Sequence, residues 1–281
     1  MNDMTPDNPI TLQTLRKWTS ENRRFAMLTC YDATTARWLA SGGVPVLLVG
    51  DSAAQMILGR DSSIHVSLDF MLTITAAVKR GAPRCFVMGD MPFMSYQADD
   101  AEAIRNAGRF LTDGRADAVK LEVDGSFADL VGKMSRAGIP VVAHLGWRPQ
   151  MARHDGVRTA RIAGRTADEA HQLIADAKLM ERQGAVMLLL EAVPPEVSRK
   201  IVEQVRVPVI GCGAGPACAG QVVVLQDLLG MTERQPSFAP PIARMGLALQ
   251  DAASQWVKIV EQGNRQAGEG YQMNQGESEK L

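Results

Sequence analysis

Seven short apolar runs, most of them containing β-branched residues, recur along the chain at residues 25–29, 46–49, 85–89, 118–121, 141–143, 186–190 and 207–210, separated by segments of helical character. Apolar strands alternating with helices are the pattern of a parallel sheet, because the crossover helices cover both of its faces. An eighth run is weak. With 281 residues the chain matches a (β/α)8 barrel, typically about 250 residues, better than an open sheet. A single barrel domain over 1–281 is expected, with a short N-terminal helix and a mobile tail from about residue 262.

Helix boundaries carry their own signals. Asp100 is expected to cap a helix running to Gly114, and Ser126 to open one that stops at Gly138 before Pro140. Thr166 and Glu169 have capping-box spacing ahead of a helix ending near Gly184. Residues 11–18 form a further short helix, with Leu12 and Leu15 on one face, that plugs the barrel bottom or packs on its side. Residues 56–69 and 151–165 interrupt the alternation and read as loops on the functional face.

Composition excludes several classes. Lys plus Arg (30) nearly balance Asp plus Glu (31), so no global field draws a nucleic acid or an acidic membrane surface. Cys30, Cys85, Cys212 and Cys218 lack CxxC spacing, which argues for thiols rather than disulfides or a zinc cage. Residues 1–10 lack a basic region followed by an apolar stretch, and no run reaches the length of a membrane span. A cytoplasmic location is expected.

The chemistry is indicated by what ends the strands. Val49-Gly50-Asp51, Met88-Gly89-Asp90, Lys120-Leu121-Glu122 and Leu189-Leu190-Glu191 each run from an apolar strand into an acid. In a barrel those ends converge on the C-terminal mouth. Four carboxylates confined there repel one another unless a cation or a shared proton compensates. All-oxygen donors suit Mg2+ better than zinc, whereas any one of these acids taken singly reads as a helix cap or a loop hydrogen bond.

Lys120, two residues before Glu122, faces the same side of its strand and hence the cavity. It either anchors a substrate carboxylate, forms a Schiff base, or makes a salt bridge to Glu122 or a neighbouring acid. His144, at another strand end, is a donor to a substrate oxygen or a histidine bonded into the wall. The glycine-rich turn 211–215 brings backbone amides to an anion, but its spacing is too compact for a dinucleotide fingerprint.

The segments Leu28-Thr29-Cys30-Tyr31-Asp32, Val49-Gly50-Asp51-Ser52, Gly89-Asp90-Met91-Pro92-Phe93-Met94, Val119-Lys120-Leu121-Glu122, His144-Leu145-Gly146, Pro149-Gln150, Leu190-Glu191-Ala192-Val193-Pro194 and Ile210-Gly211-Cys212-Gly213-Ala214-Gly215 occur in one order. In them the chain resembles the ketopantoate hydroxymethyltransferase family. The resemblance implies a barrel of the phosphoenolpyruvate mutase and isocitrate lyase type. It also implies one Mg2+ per subunit, 5,10-methylenetetrahydrofolate as co-substrate, and a homo-oligomer, often a decamer. By the same resemblance Asp51 and Asp90 are metal ligands and Glu122 is a metal-site carboxylate, directly or through water. Ser52 and Lys120 bind the 2-oxo acid together with Asp51 and Asp90, His144 lies near it, and Glu191 accepts the proton.

The implied reaction transfers a hydroxymethyl group to 3-methyl-2-oxobutanoate, giving 2-dehydropantoate at the first step of pantothenate biosynthesis, through a metal-stabilised enolate. The chain departs from the family at Ala54 and Gln55 (glycine and methionine), Arg60 (histidine), His65 (proline), Gln226 (histidine) and through residues 151–165. Three other readings stay open: a Mg2+-dependent lyase or hydrolase of the same barrel group with a different 2-oxo acid, a Schiff-base aldolase, and a non-catalytic barrel.

Overall fold

The computed structural model describes residues 8–154, 156, 161–233, 235–263, 273–276 and 278–281. Expectations for residues 1–7 and for most of the tail lie outside these, as does part of the 151–165 loop. The chain divides into two compact units, Met1–Leu225 and Gln226–Leu281.

In the first unit eight parallel strands close in sequence order, β1 (Phe25–Thr29), β2 (Val46–Val49), β3 (Phe86–Asp90), β4 (Ala118–Glu122), β5 (Val141–Gly146), β6 (Met187–Glu191), β7 (Val209–Cys212) and β8 (Gly220–Val223), with β8 pairing back onto β1. All seven expected strands form, within two residues at nearly every end. The exception is β5, which runs three residues further, so that His144 lies inside the strand and not just past it. The eighth strand was weak in sequence because Gly220-Gln221-Val222-Val223 carries only two apolar side chains, and Gln221 is exposed.

Helices α1 (Leu12–Ser20), α2 (Ala33–Ser41), α3 (Ala53–Met56), α4 (Leu68–Gly81), α5 (Asp100–Thr112), α6 (Ala128–Arg136), α7 (Ala167–Arg182) and α8 (Pro195–Val202) complete this unit, and α9 (Leu225–Leu228) begins at its last residue. No helix separates β7 from β8; residues 213–219 make the crossover alone. The cap of α5 is Asp99, whose carboxylate accepts from Glu102 N at 2.8 Å, and Asp100 is the first helical residue. Asp124 caps a 3-10 turn, Gly125–Phe127, that leads into α6. Thr166 caps α7 by accepting from Glu169 N, while the Glu169 carboxylate takes the Arg165 N–H, so half of the expected capping box forms.

Side-chain alternation sorts the strands into two cores. Outward residues such as Leu47, Val87, Leu121, Ala143 and Leu188 pack under the helices, while Met27, Leu48, Phe86, Met88, Val142, Met187, Leu189 and Ile210 fill the barrel. Gly89 on the outer face of β3 leaves room for Phe110 of α5, whose ring lies 2.3 Å from where a Cβ would stand. Leu15 of α1 is fully buried in the inner core beside Ile10, so the N-terminal helix plugs the barrel bottom, the first of its two expected placements.

The second unit holds α10 (Met245–Glu261), which has no buried residue and exposes Leu247, Leu249, Trp256 and Val260. No helix among the described residues is long and apolar enough to cross a membrane. Leu15→Ala empties a fully enclosed position at the barrel floor, and chemical denaturation is expected to show a loss of about 2–5 kcal/mol. A change under about 1 kcal/mol would mean that the plug is not part of the cooperative core.

Candidate active site

Along four adjacent strands the inward positions change from apolar to ionisable toward the C-terminal end: Phe86, Met88, Asp90; Ala118, Lys120, Glu122; Val142, His144; Met187, Leu189, Glu191. The register places Asp90 opposite Lys120, Glu122 opposite His144, and Glu191 opposite Gly146. Strand parity and barrel closure therefore bring together five of the residues singled out from sequence, Asp90, Lys120, Glu122, His144 and Glu191, and Asp51 joins them from the turn after β2. Asp51, Asp90, Lys120, Glu122 and His144 are all 6% exposed or less.

Lys120 Nζ lies 2.8 Å from Asp90 Oδ2 and 3.3 Å from His144 Nδ1. Nearby carboxylates hold its ammonium protonated above the usual lysine range, against the cost of burial. An ammonium only donates, so His144 Nδ1 accepts and the ring proton resides on Nε2. Burial, reinforced by Lys120, pushes the His144 pKa well down and keeps the ring neutral. Its Nε2 stands 3.4 Å from Glu191 Oε2, a contact between a neutral ring and a carboxyl group.

Burial raises the pKa of both Asp90 and Glu122, with further pressure from Asp51 and partial relief from Lys120. Burial likewise pushes Glu191 up to about 7, although its side chain keeps 24% exposure to the mouth. The backbone fixes Glu191 from both sides. Its carbonyl accepts from Trp147 N at 2.9 Å, and the next residue, Ala192, has φ 50, a left-handed conformation uncommon for alanine. Ser52 follows Asp51 in the turn after β2, its Oγ 2.9 Å from Tyr31 Oη.

Sequence reading gave no role to Gln150 or Tyr96. Gln150, 3% exposed, donates its backbone N–H to Glu122 Oε2 and its Nε2 to Asp51 Oδ2, both at 2.9 Å. Tyr96 Oη accepts from Glu122 N at 3.1 Å, and its one proton is shared between Gln150 Oε1 at 2.9 Å and the Glu122 carbonyl oxygen at 3.0 Å. Pro149-Gln150 is a motif of the sequence, but a glutamine in a loop has no periodicity to mark it as buried.

Four carboxyl groups here face one ammonium, an excess of negative charge that burial makes costly. Asp90 Oδ1, Glu122 Oε1 and His144 Nε2 are buried without a hydrogen-bond partner, so two oxygens are left to accept a cation. Among the described residues no group of three or more His, Cys, Asp or Glu side chains is already arranged to hold a metal ion. Asp51 and Asp90 are joined through the Asp51 N–H, 3.1 Å from Asp90 Oδ2, while one Glu122 oxygen is taken by Gln150. The free oxygens of Asp90 and Glu122 fit a hard cation such as Mg2+, which keeps waters and takes its remaining ligands from neighbouring carboxylates and substrate.

Of the family departures, Ala54 is fully buried, while Gln55, Arg60 and His65 are exposed. His65 Nδ1 lies 2.9 Å from Asp61, and its Nε2 meets Arg153 at 3.3 Å, which ties the two loops expected on the functional face.

The fold and site define a (β/α)8 barrel enzyme fold with an acidic C-terminal mouth. In fold it is similar to phosphonopyruvate hydrolase in complex with oxalate and Mg2+ (TM-score 0.61, 12% identity, 96% of this chain and 94% of that one). It is also similar to 2,3-dimethylmalate lyase, itself a member of the phosphoenolpyruvate mutase and isocitrate lyase superfamily (TM-score 0.59, 16% identity, 94% and 92%). The sequence pattern of ketopantoate hydroxymethyltransferase matches residues 9–265. A 3-methyl-2-oxobutanoate hydroxymethyltransferase of Syntrophobacter fumaroxidans is 44% identical over 86% of this chain and 85% of its own. One from Hyperthermus butylicus is 41% identical over 97% and 94%. The chain belongs to the ketopantoate hydroxymethyltransferase family.

A lysine held as an ammonium against Asp90 is a poor nucleophile at neutral pH. Borohydride reduction in the presence of a 2-oxo acid is expected to leave the protein mass unchanged. A stable adduct on Lys120 would instead establish the Schiff-base route.

Proposed function

We propose that the protein transfers a hydroxymethyl group from 5,10-methylenetetrahydrofolate to 3-methyl-2-oxobutanoate, giving 2-dehydropantoate at the first step of pantothenate biosynthesis. The observation that carries this reading is the placement of Glu191, a carboxyl with pKa near 7, in one barrel mouth with Lys120 and the Asp51–Asp90 pair. The names of relatives sharing more than two fifths of their residues support the same activity.

Asp51 and Asp90 would hold one Mg2+ through carboxylate oxygens, with Glu122 joining directly or through water. When bound, the ion supplies Lewis-acid polarisation of the substrate keto group, which acidifies the adjacent C–H. Lys120 has three N–H donors, two of them turned to Asp90 and His144, and the third binds the substrate carboxylate. Ser52 Oγ, placed by Tyr31, binds a second substrate oxygen.

Glu191 takes the proton from C3, and the electron pair released forms the bond to the one-carbon unit. Water supplies the hydroxyl oxygen of the product, and tetrahydrofolate leaves. His144, neutral and carrying its proton on Nε2, faces Glu191 and steadies it as its charge changes. The proposal includes a cytoplasmic location and a homo-oligomer, a decamer by resemblance to the family.

A second reading, a lyase or hydrolase of the same barrel group acting on another 2-oxo acid, is favoured by the departures at Ala54, Gln55, Arg60, His65 and Gln226. Turnover of 3-methyl-2-oxobutanoate that requires methylenetetrahydrofolate supports the transferase, and folate-independent cleavage of a 2-oxo acid supports the alternative.

In D2O with Mg2+, deuterium is expected to enter C3 of 3-methyl-2-oxobutanoate, as followed by NMR, and chelation is expected to stop it. Glu191→Gln should slow exchange by about 10²–10⁴-fold. Because burial raises the Glu191 pKa, the carboxyl is protonated and inactive at low pH. Exchange therefore climbs with pH to a plateau at or below about 7, since a bound cation draws the pKa down. A wild-type protein that exchanges no deuterium overturns the proposal.

A further inference from the structure

We infer that Gln150 is a positioning residue that sets the orientation of Asp51 and Glu122 and thereby the affinity of the mouth for a divalent cation. The inference rests on the cation reading proposed above and adds to it a residue outside the set expected to touch the ion or the substrate.

A primary amide offers two N–H donors and two acceptor lone pairs. In Gln150 all four are engaged: Nε2 donates to Asp51 Oδ2 at 2.9 Å and to Met91 O at 3.0 Å, while Oε1 accepts from Tyr96 Oη at 2.9 Å and Gln97 Nε2 at 3.0 Å. The acceptors Asp51 Oδ2 and Met91 O demand the NH2 end, so the amide has one workable orientation. The backbone N–H of the same residue is spent on Glu122 Oε2. One residue thus grips a carboxylate from the turn after β2 and another from the end of β4, groups 71 positions apart in sequence (122 − 51).

These bonds decide which oxygens are left over. With Oε2 of Glu122 taken by Gln150, Oε1 is buried and unpartnered. With Oδ2 of Asp90 taken by Lys120 and by the Asp51 N–H, Oδ1 is likewise unpartnered. Without Gln150 the Asp51 and Glu122 side chains regain their rotamer freedom, and a cation has to order them on binding. Gln150 also lies in the Pro149–Met151 turn after β5. The loop after that strand and the carboxylates on two other elements are therefore one hydrogen-bonded unit.

The test is calorimetric titration of Mg2+ into the full-length protein without substrate, which reads the site independently of turnover. Gln150→Met keeps the side-chain length and the backbone donor to Glu122 but removes the amide. Its Mg2+ Kd is expected to rise by about 10–100-fold, and Tyr96→Phe to shift it in the same direction by less. An unchanged Kd in Gln150→Met, even with a lowered Tm, reduces Gln150 to a structural role and overturns the inference while the cation site stands. Should Gln150→Met fail to fold, an unchanged Kd in Tyr96→Phe decides against the inference in the same way. Wild-type protein that binds no Mg2+, or binds it equally well after Asp90→Asn, removes the cation reading and the inference with it.

Discussion

Closing eight parallel strands into one ring forces their C-terminal ends to share a single mouth, and in this chain those ends carry acids. Asp51, Asp90, Glu122 and Glu191 meet there with one compensating ammonium, Lys120, 2.8 Å from Asp90. Burying like charges is costly, and the site accommodates it in three ways: raised carboxyl pKa values, an ion pair, and a hydrogen-bond frame built from Gln150 and Tyr96. Two buried oxygens remain without a donor, and that residual imbalance is what a hard cation and a chelating oxo acid would complete.

The remainder of the barrel makes this mouth affordable. The lower interior is apolar from Phe25 and Met27 through Ile210, and Leu15 and Ile10 close it from below. Outside, a separate shell of residues such as Val87, Leu121 and Phe110 locks the helices to the strands. Hydrophobic burial of that extent supplies the free energy against which a few strained or poorly compensated polar groups can be held, Ala192 at positive φ beside Glu191 among them.

Function follows from the distinct environments imposed on similar groups. Asp90 is pinned by Lys120, Glu122 is held by Gln150, and Glu191 alone among the strand-end acids keeps a quarter of its side chain open to the mouth. A carboxyl that titrates near neutrality and faces a neutral histidine is suited to take up and return a proton. The others are suited to hold charge in place.

Much of this was legible in the chain itself. Strand positions and the acid ending each of four runs follow from the apolar runs themselves, and the shared face of Lys120 and Glu122 from the period-two geometry of a strand, all of them local properties. The seven-residue crossover between β7 and β8 was not legible, since glycine-rich turns and short loops look alike in sequence. Nor was the cap at Asp99, one residue before the expected Asp100, because adjacent aspartates satisfy the same signal. Family resemblance added roles to the motif residues but was silent on Gln150. Sequence thus determined where the strands lie, which of them end in acids, and that Lys120 shares a face with Glu122. Tertiary structure decided which of them touch, because only closure of the ring converts positions scattered from Asp51 to Glu191 into distances of a few ångströms, and only those distances fix protons, tautomers and charge.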